Sequence, residues 1–306
     1  MVSQRARRAV FWFVLLTFGF TWLLWGVLWL PGAADNRAFA SLVPAVGMWI
    51  PGITALLLTR VYLRESLRTT TLDRLGPRRY YLWAWFLPIV GTLASTALTV
   101  GVGLARFDPD FTQTRSMMEA SGKQPPVPMP IIIAAMIALS LTLAPLFNVL
   151  FALGEEIGWR GFLLPRLLQA GVHQWAALIL SGAIWGLWHA PLIIRGQNYP
   201  GHPYLGVVLM TVFCSLLGVI FGWLRLASSS VWAPALAHGS LNAVAGIPIL
   251  VLTPFDMALG GMLTSLVGWL LQVAFIGWLV WSGRLPVRLE EPSPTCTPLL
   301  VPASTH

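Results

Sequence analysis

Eight long apolar runs cover most of this 306-residue chain, and they constrain its fold more than any other feature. A helix needs about 20 residues to cross the roughly 30 Å hydrocarbon layer of a bilayer. In chain order, the runs occupy residues 10–30, 39–59, 80–104, 130–153, 175–194, 204–224, 232–250 and 258–282. Because lipid offers no partner to backbone polar groups, continuous apolar runs of this length favour helices. The sequence therefore predicts an all-α fold, a polytopic transmembrane helical bundle of about eight helices.

The composition excludes an ordinary soluble domain, because 57% of the residues are hydrophobic and only 10% are charged. The mean hydropathy is +0.74. A formal net charge of +8 could indicate nucleic-acid binding, but the basic residues lie between the apolar runs and form no patch with interleaved aromatic residues. We expect the lipid bilayer, and no nucleic acid, as a partner. No feature of the sequence indicates an oligomeric state.

Arginine residues are concentrated in alternate connections between the runs, and this predicts the orientation. Three arginines precede the first run, and six lie between the second and third: Arg60, Arg64, Arg68, Arg74, Arg78 and Arg79. The positive-inside rule places such connections in the cytoplasm. With eight crossings, 14 of the 19 basic residues fall on the cytoplasmic side, leaving 5 outside. Both termini are therefore expected to be cytoplasmic.

The first run resembles a signal peptide in its flanks but exceeds the usual apolar core of about 7 to 15 residues, so we expect it to be a retained helix. Eighteen of the 19 basic residues are arginine and only Lys123 is lysine, which suggests a GC-rich bacterial source. We therefore expect a multi-pass integral protein of a bacterial plasma membrane.

Ionisable residues are costly inside a bilayer, so the carboxylates at the end of the fourth run indicate a functional site. Glu156 and Arg160 are four residues apart and share a helix face, where they are expected to pair. Glu155 points about 100° away and is left without a partner in its helix, which makes it a candidate general base. The alternative is an interfacial ion-pair cluster that only ends the helix.

Two later runs carry the remaining polar candidates. His189 is the only ionisable residue between residues 174 and 194, and alone it fits a buried structural histidine as well as a functional one. His238 and Asn242 are four apart and share a helix face, where both can donate hydrogen bonds to one oxyanion. Asparagine also joins transmembrane helices by hydrogen bonds, and this reading stays open.

Small residues at GxxxG spacing accompany these candidates, at Gly154 and Gly158 and at Gly218 and Gly222. Such pairs allow helices to approach closely. We expect tight helix packing around the polar residues, although the same spacing is frequent in membrane helices that carry no site.

The motifs Glu155-Glu156-x-x-x-Arg160, Trp185-x-x-x-His189 and His238-x-x-x-Asn242 follow one another on separate apolar helices. In this order they resemble those of the CPBP (CAAX protease-like, Abi) family of intramembrane glutamic endopeptidases, which includes the type II CAAX prenyl endopeptidases. The resemblance covers about residues 130–250. The family's second motif usually begins with Phe, and Trp185 retains an aromatic wall at that place.

The resemblance implies an intramembrane endopeptidase whose substrate is a peptide or protein at the membrane. It implies that Glu155 and His189 activate a water for attack on a peptide carbonyl, and that His238 and Asn242 stabilise the oxyanion. Glu156 and Arg160 would hold the first carboxylate in place. No cofactor is expected, but zinc stays open because His and Glu are also zinc ligands.

The chain is accordingly divided into four segments. Residues 1–129 form the first three helices and an external loop, and residues 130–250 form the catalytic core of helices 4 to 7. Residues 251–284 form the final helix, and residues 285–306 are expected to be a disordered cytoplasmic tail.

The predicted helix boundaries place Glu155 and His238 near the inner ends of their helices but His189 near an outer end. These residues meet only if helix 4 continues past Arg160 into residues 162–164 and carries Glu155 deeper.

Two functions of other classes remain as alternatives. One is a non-catalytic membrane scaffold or a bacteriocin-immunity-type protein. The other is a proton-coupled transporter, which the absence of an internal sequence repeat disfavours.

Overall fold

The computed structural model describes residues 2–33, 35–120, 122 and 126–288. Within these residues the regular structure is helical, apart from one isolated antiparallel bridge between Phe107 and Leu252. The helices are α1 (Val2–Gly26), α2 (Arg37–Gly47), α3 (Ile50–Leu57), α4 (Arg79–Gly101), α5 (Thr112–Ala120), α6 (Met129–Leu141), α7 (Leu143–Glu156), α8 (Leu164–Gln169), α9 (Gln174–Trp188), α10 (Ala190–Ile194), α11 (Pro203–Ser228), α12 (Trp232–Val244), α13 (Ile247–Val251) and α14 (Leu266–Trp281).

The predicted helical membrane bundle is confirmed. Among the described residues, five segments are long and apolar enough to cross a bilayer: Ser3–Trp29, Ala38–Tyr62, Arg79–Gly101, Pro203–Ser228 and Trp232–Val251. Taken together as one bent span, Met129–Leu141 and Leu143–Gln169, which meet at an angle of 50°, make a sixth. The other two predicted runs contain the shorter apolar helices Gln174–Trp188 and Leu266–Trp281. The orientation of the termini stays a prediction.

Two predicted boundaries are wrong. The last run was expected to be helical from residue 258, but α14 begins only at Leu266, after a series of turns. The fourth run was expected to end at residue 153, but helical structure continues through a π-helical turn at Ile157–Leu163 into α8. The part of the predicted tail beyond residue 288 lies outside the described residues.

Proline explains both irregularities of the fourth span. Pro145 lies in the first turn of α7 and has no N–H for the carbonyl of Leu141, so the ladder is interrupted where α6 and α7 bend. Pro165 similarly cannot bond to the carbonyl of Gly161, and the wide π-helical turn precedes it directly. The span therefore has a bend before Glu155 and a wide turn after it.

Glycine contacts fix the spacing between the helices that carry the motifs. A Cβ added to Gly154 would lie 2.8 Å from the carbonyl oxygen of Met48, and one added to Gly158 would lie 2.5 Å from Pro51 Cβ. A Cβ on Gly218 would lie 2.8 Å from Gly182 Cα. The close helix packing expected from the glycine spacing is therefore present on both sides of the site.

Connections between spans define two opposite faces of the bundle. At one face, Ser230 donates to the carbonyl of Arg74 and Gln174 exchanges two hydrogen bonds with the backbone of Val287. We call this the arginine-rich face and define it by residues 63–79, 170–174, 228–232 and 282–288. The 26-residue α11 runs from there to the opposite face, where Asp108 N–H donates to the carbonyl of Val251. We call this second face the distal face and define it by residues 102–111, 195–202 and 252–265.

Candidate active site

The three motif-bearing spans meet around one cavity of about 370 Å³. Its lining includes all four residues predicted to act in catalysis and one predicted to support them: Glu155, Trp185, His189, His238 and Asn242. Glu156 and Arg160 do not line the cavity and lie buried beside it. Residues separated by almost 90 positions in the sequence are therefore brought to one place within the membrane-spanning part of the fold.

The helical structure of the fourth span continues past Arg160, and this places Glu155 deeper in the membrane than the predicted boundaries did. Glu155 lies 12 residues after the start and 14 residues before the end of the segment Leu143–Gln169, which places it near the middle. A Cβ added to Gly239 of α12 would lie 2.7 Å from the backbone N of Val149, so α12 packs directly on α7. The 2.9 Å distance between His238 Nδ1 and Glu156 Oε1 shows that His238 lies at the level of the two carboxylates.

Glu156 is the centre of a fully buried polar cluster. Its Oε1 accepts a 2.9 Å hydrogen bond from Arg160 Nη1 and a second 2.9 Å hydrogen bond from His238 Nδ1. The pairing of Glu156 with Arg160 that the helix spacing predicts is present. The contact with His238 was not anticipated, because it depends on the relative rotation of two helices far apart in sequence.

The carboxylate of Glu155 is held by two indole groups. Its Oε2 accepts a 2.6 Å hydrogen bond from Trp185 Nε1 and a longer one of 3.4 Å from Trp159 Nε1. The described hydrogen bonds of this carboxylate are thus with tryptophans, and not with Arg160. Trp159 is four residues after Glu155, so the same spacing rule that paired Glu156 with Arg160 could have identified it.

His189 ends α9, and its ring is oriented by the helix itself. Its Nδ1 lies 2.9 Å from the carbonyl oxygen of Trp185. Because a carbonyl oxygen only accepts hydrogen bonds, Nδ1 carries the proton, and Nε2 of the neutral ring keeps a lone pair. The edge of Trp188 packs on the ring with 4.9 Å between centroids. His189 can therefore accept a proton or a hydrogen bond at Nε2.

Aromatic rings surround the buried guanidinium of Arg160. The guanidinium carbon lies 4.4 Å from the ring centroid of Trp185 and 5.3 Å from that of Phe221. Two of its nitrogens, Nε and Nη2, lack a hydrogen-bond partner among the described residues, so the rings supply the remaining stabilisation of the charge. The aromatic contacts of Phe221 were missed in the sequence, because a single Phe in an apolar helix gives no signal.

Metal ligation was left open by the residue types. Among the residues that the structure describes, no group of three His, Cys, Asp or Glu side chains is arranged to hold a metal ion. The expectation of a site without a cofactor stays a prediction, since it concerns the chemistry and not only the donor arrangement.

Comparisons with known proteins point to the same segment. The sequence model of the family described as type II CAAX prenyl endopeptidase Rce1-like matches residues 131–244. A curated relative, CAAX prenyl protease 2 of Methanococcus maripaludis, is 32% identical over 99 residues, which cover 31% of this chain and 36% of that protein. The chain thus matches about a third of the length of this relative. The segment from residue 131 to 244 carries all three motifs and is similar in sequence to the type II CAAX prenyl endopeptidase family.

Proposed function

We propose that the protein is an intramembrane endopeptidase that hydrolyses peptide bonds of membrane-associated peptides or proteins. The similarity of residues 131–244 to type II CAAX prenyl endopeptidases supports a protease at the membrane. The specific proposal of peptide hydrolysis by these side chains is supported by one observation. Four of them line one cavity between apolar helices: Glu155, His189, His238 and Asn242. Neither a scaffold nor an immunity protein requires that convergence.

In the proposed reaction, Glu155 and His189 activate the attacking water. Oε2 of Glu155 accepts the hydrogen bond from Trp185, so the other carboxylate oxygen is left to accept a proton from water. The lone pair on Nε2 of His189 holds or deprotonates the same water. The water oxygen bonds to the carbonyl carbon of the scissile peptide. When the C–N bond breaks, the proton taken from water passes to the leaving amine.

His238 and Asn242 are proposed to stabilise the oxyanion of the tetrahedral intermediate. The amide of Asn242 supplies N–H donors. His238 donates from Nε2 only as an imidazolium, because its Nδ1 already donates to Glu156. The buried carboxylate of Glu156 is the partner that such an imidazolium requires. We therefore assign to Glu156 the role of positioning His238, and to Arg160 the role of holding Glu156.

Replacing Glu155 with Ala tests the proposal. We expect cleavage of an internally quenched hydrophobic peptide library by the purified protein to fall about 10²- to 10⁴-fold, because the proton acceptor is lost. His189→Ala should behave in the same way. Asp73→Asn, which removes an exposed carboxylate at the arginine-rich face, is the matched control and should retain cleavage. A Glu155→Ala protein that melts like the parent and still cleaves would contradict the mechanism.

Complementation separates catalysis from the alternative of a non-catalytic scaffold or immunity protein. If Glu155→Ala supports the cellular function as well as the parent does, binding is the activity. If complementation is lost while the folded protein accumulates normally, hydrolysis is the activity.

A further inference from the structure

The cavity extends from Glu155 toward only one face of the bundle. Some residues that line the cavity lie in connections between spans. They are Gln197, Asn198 and residues 262–264, and all of them are in segments of the distal face. Within the described chain, none of the lining residues belongs to the segments that define the arginine-rich face. The site is therefore closed toward the arginine-rich face.

The exposure of the lining residues locates the mouth. Glu155, Trp185 and His238 are buried at the inner end, whereas Ser41 and Gln197, together with Asn242 of α12, are exposed. A second, smaller groove of about 160 Å³ adjoins the cavity. It shares three lining residues with the cavity and reaches the surface at Arg195; the shared residues are Pro44, Leu192 and Gln197. The cavity thus continues into the surface of the distal face.

Contacts between two distal segments hold this mouth in place. The hydroxyl of Tyr199 donates a 2.8 Å hydrogen bond to the carbonyl of Thr264, and His202 Nε2 lies 3.0 Å from Asp256 Oδ2. Although burial opposes ionisation of Asp256, hydrogen bonds from the backbone N–H of Ala258 and from His202 give it a lowered pKa. The mouth is therefore held in shape by hydrogen bonds between two segments of the fold.

Charge assigns the two faces to the two sides of the membrane. Residues 5–8 and 60–79 alone place nine arginines toward the arginine-rich face. The connections on the other side contain five basic residues, Arg37, Arg106, Arg115, Lys123 and Arg195, of which Arg106 and Arg195 lie in the distal segments. Connections rich in arginine stay in the cytoplasm, so the distal face is the non-cytoplasmic one.

We infer that substrate peptides and the attacking water enter this site from the non-cytoplasmic side of the membrane. The substrates would then be peptides, or segments of exported or membrane proteins, presented at that surface, and not the C-termini of cytoplasmic proteins. The identification of the substrate rests on the proposed function, but the sidedness of the cavity does not.

Cysteine accessibility tests the sidedness without any assay of cleavage. Gln197→Cys at the mouth, Ala245→Cys inside the cavity and Ser66→Cys at the arginine-rich face are each introduced together with Cys296→Ser. The native Cys214 is buried and stays, and the parent carrying only Cys296→Ser measures its background. Intact cells are treated with a membrane-impermeant methanethiosulfonate, and a second sample is treated after permeabilisation.

We expect Gln197→Cys and Ala245→Cys to be modified in intact cells, and Ser66→Cys at least tenfold more after permeabilisation. Modification of Ser66→Cys alone in intact cells would overturn the inference, because the orientation would be inverted. Modification of Gln197→Cys without Ala245→Cys would also overturn it, because the cavity would not connect to the mouth. The same pattern is expected in a Glu155→Ala background, so failure of catalysis and failure of sidedness are distinguishable.

Discussion

At the scale of single residues, Trp185 does more than provide an aromatic wall. Its indole N–H donates the 2.6 Å hydrogen bond to Glu155, and Phe, the residue usual at this place in the family, has no such donor. The ring also lies against the guanidinium of Arg160. Trp185 thus orients the proposed base and contacts the cluster that orients His238.

Replacing Trp185 with Phe should lower kcat about tenfold with a smaller change in KM. A hydrogen bond to a charged group contributes about 1.5–3 kcal/mol, and about 1.4 kcal/mol is a factor of ten. Trp232→Phe is the matched control, because it removes an indole hydrogen bond, to the carbonyl of Leu72, at a residue that does not line the cavity. A kcat for Trp185→Phe equal to that of the control would show that the hydrogen bond does not orient the base.

The buried pair of Glu156 and Arg160 should reveal a difference between stability and activity. Glu156→Gln leaves Arg160 as an uncompensated buried charge, which costs about 3–5 kcal/mol, so we expect a lower midpoint of thermal denaturation. Adding Arg160→Met should recover much of that loss by removing the orphaned charge.

Peptide cleavage by the double variant should stay low even though its stability recovers, because His238 has lost the carboxylate beside Nδ1. Cleavage that returns together with the thermal midpoint would mean that Glu156 serves only the fold.

At the scale of helices, the close contact between α3 and α7 fixes the position of Glu155. Gly154→Ala would place a Cβ 2.8 Å from backbone atoms of residues 48 and 49, which cannot move aside as a flexible side chain can. Overpacking of this kind costs about 1–3 kcal/mol. We expect a lower thermal midpoint and weaker cleavage, because the carboxylate next to the contact must shift.

Gly277→Ala in α14 is the matched control, since an added Cβ there meets no atom within 4 Å. It should leave both the thermal midpoint and cleavage close to those of the parent. Because Gly→Ala by itself favours a helix through backbone entropy, equal losses in both variants would show that the contact of Gly154 is not the cause.

Hydropathy predicted which segments are helical membrane spans, but not where they bend. The transfer free energy of an apolar run is nearly the same for a straight and a bent helix, so the bend at Thr142 leaves no trace in it. Pro145 and Pro165 were the available signals.

Spacing of four residues predicted the pair of Glu156 with Arg160, whereas the contact with His238 depends on a π-helical turn and on helix rotation that spacing cannot show.

At the scale of the whole molecule, the cavity is not confined to the segment that matches the family. Trp25, Pro44, Met48 and Thr92, all from the first 129 residues, line it together with the motif residues. The sequence identified the polar inner end of the site, because ionisable residues in apolar helices are conspicuous. It did not identify the apolar walls, because their residues look like those of any membrane span. The division into four segments stays a prediction.

The buried cluster also has a consequence for how the chain enters the bilayer. The middle of the fourth span carries two carboxylates and one guanidinium, those of Glu155, Glu156 and Arg160, and each charged residue near the centre of a helix adds about 2.5–3.5 kcal/mol to the free energy of insertion by the translocon. His238, the second group that contacts Glu156, is synthesised about 80 residues later, in α12. We therefore expect the fourth span to remain at the translocon, or beside a membrane chaperone, until α12 has been synthesised.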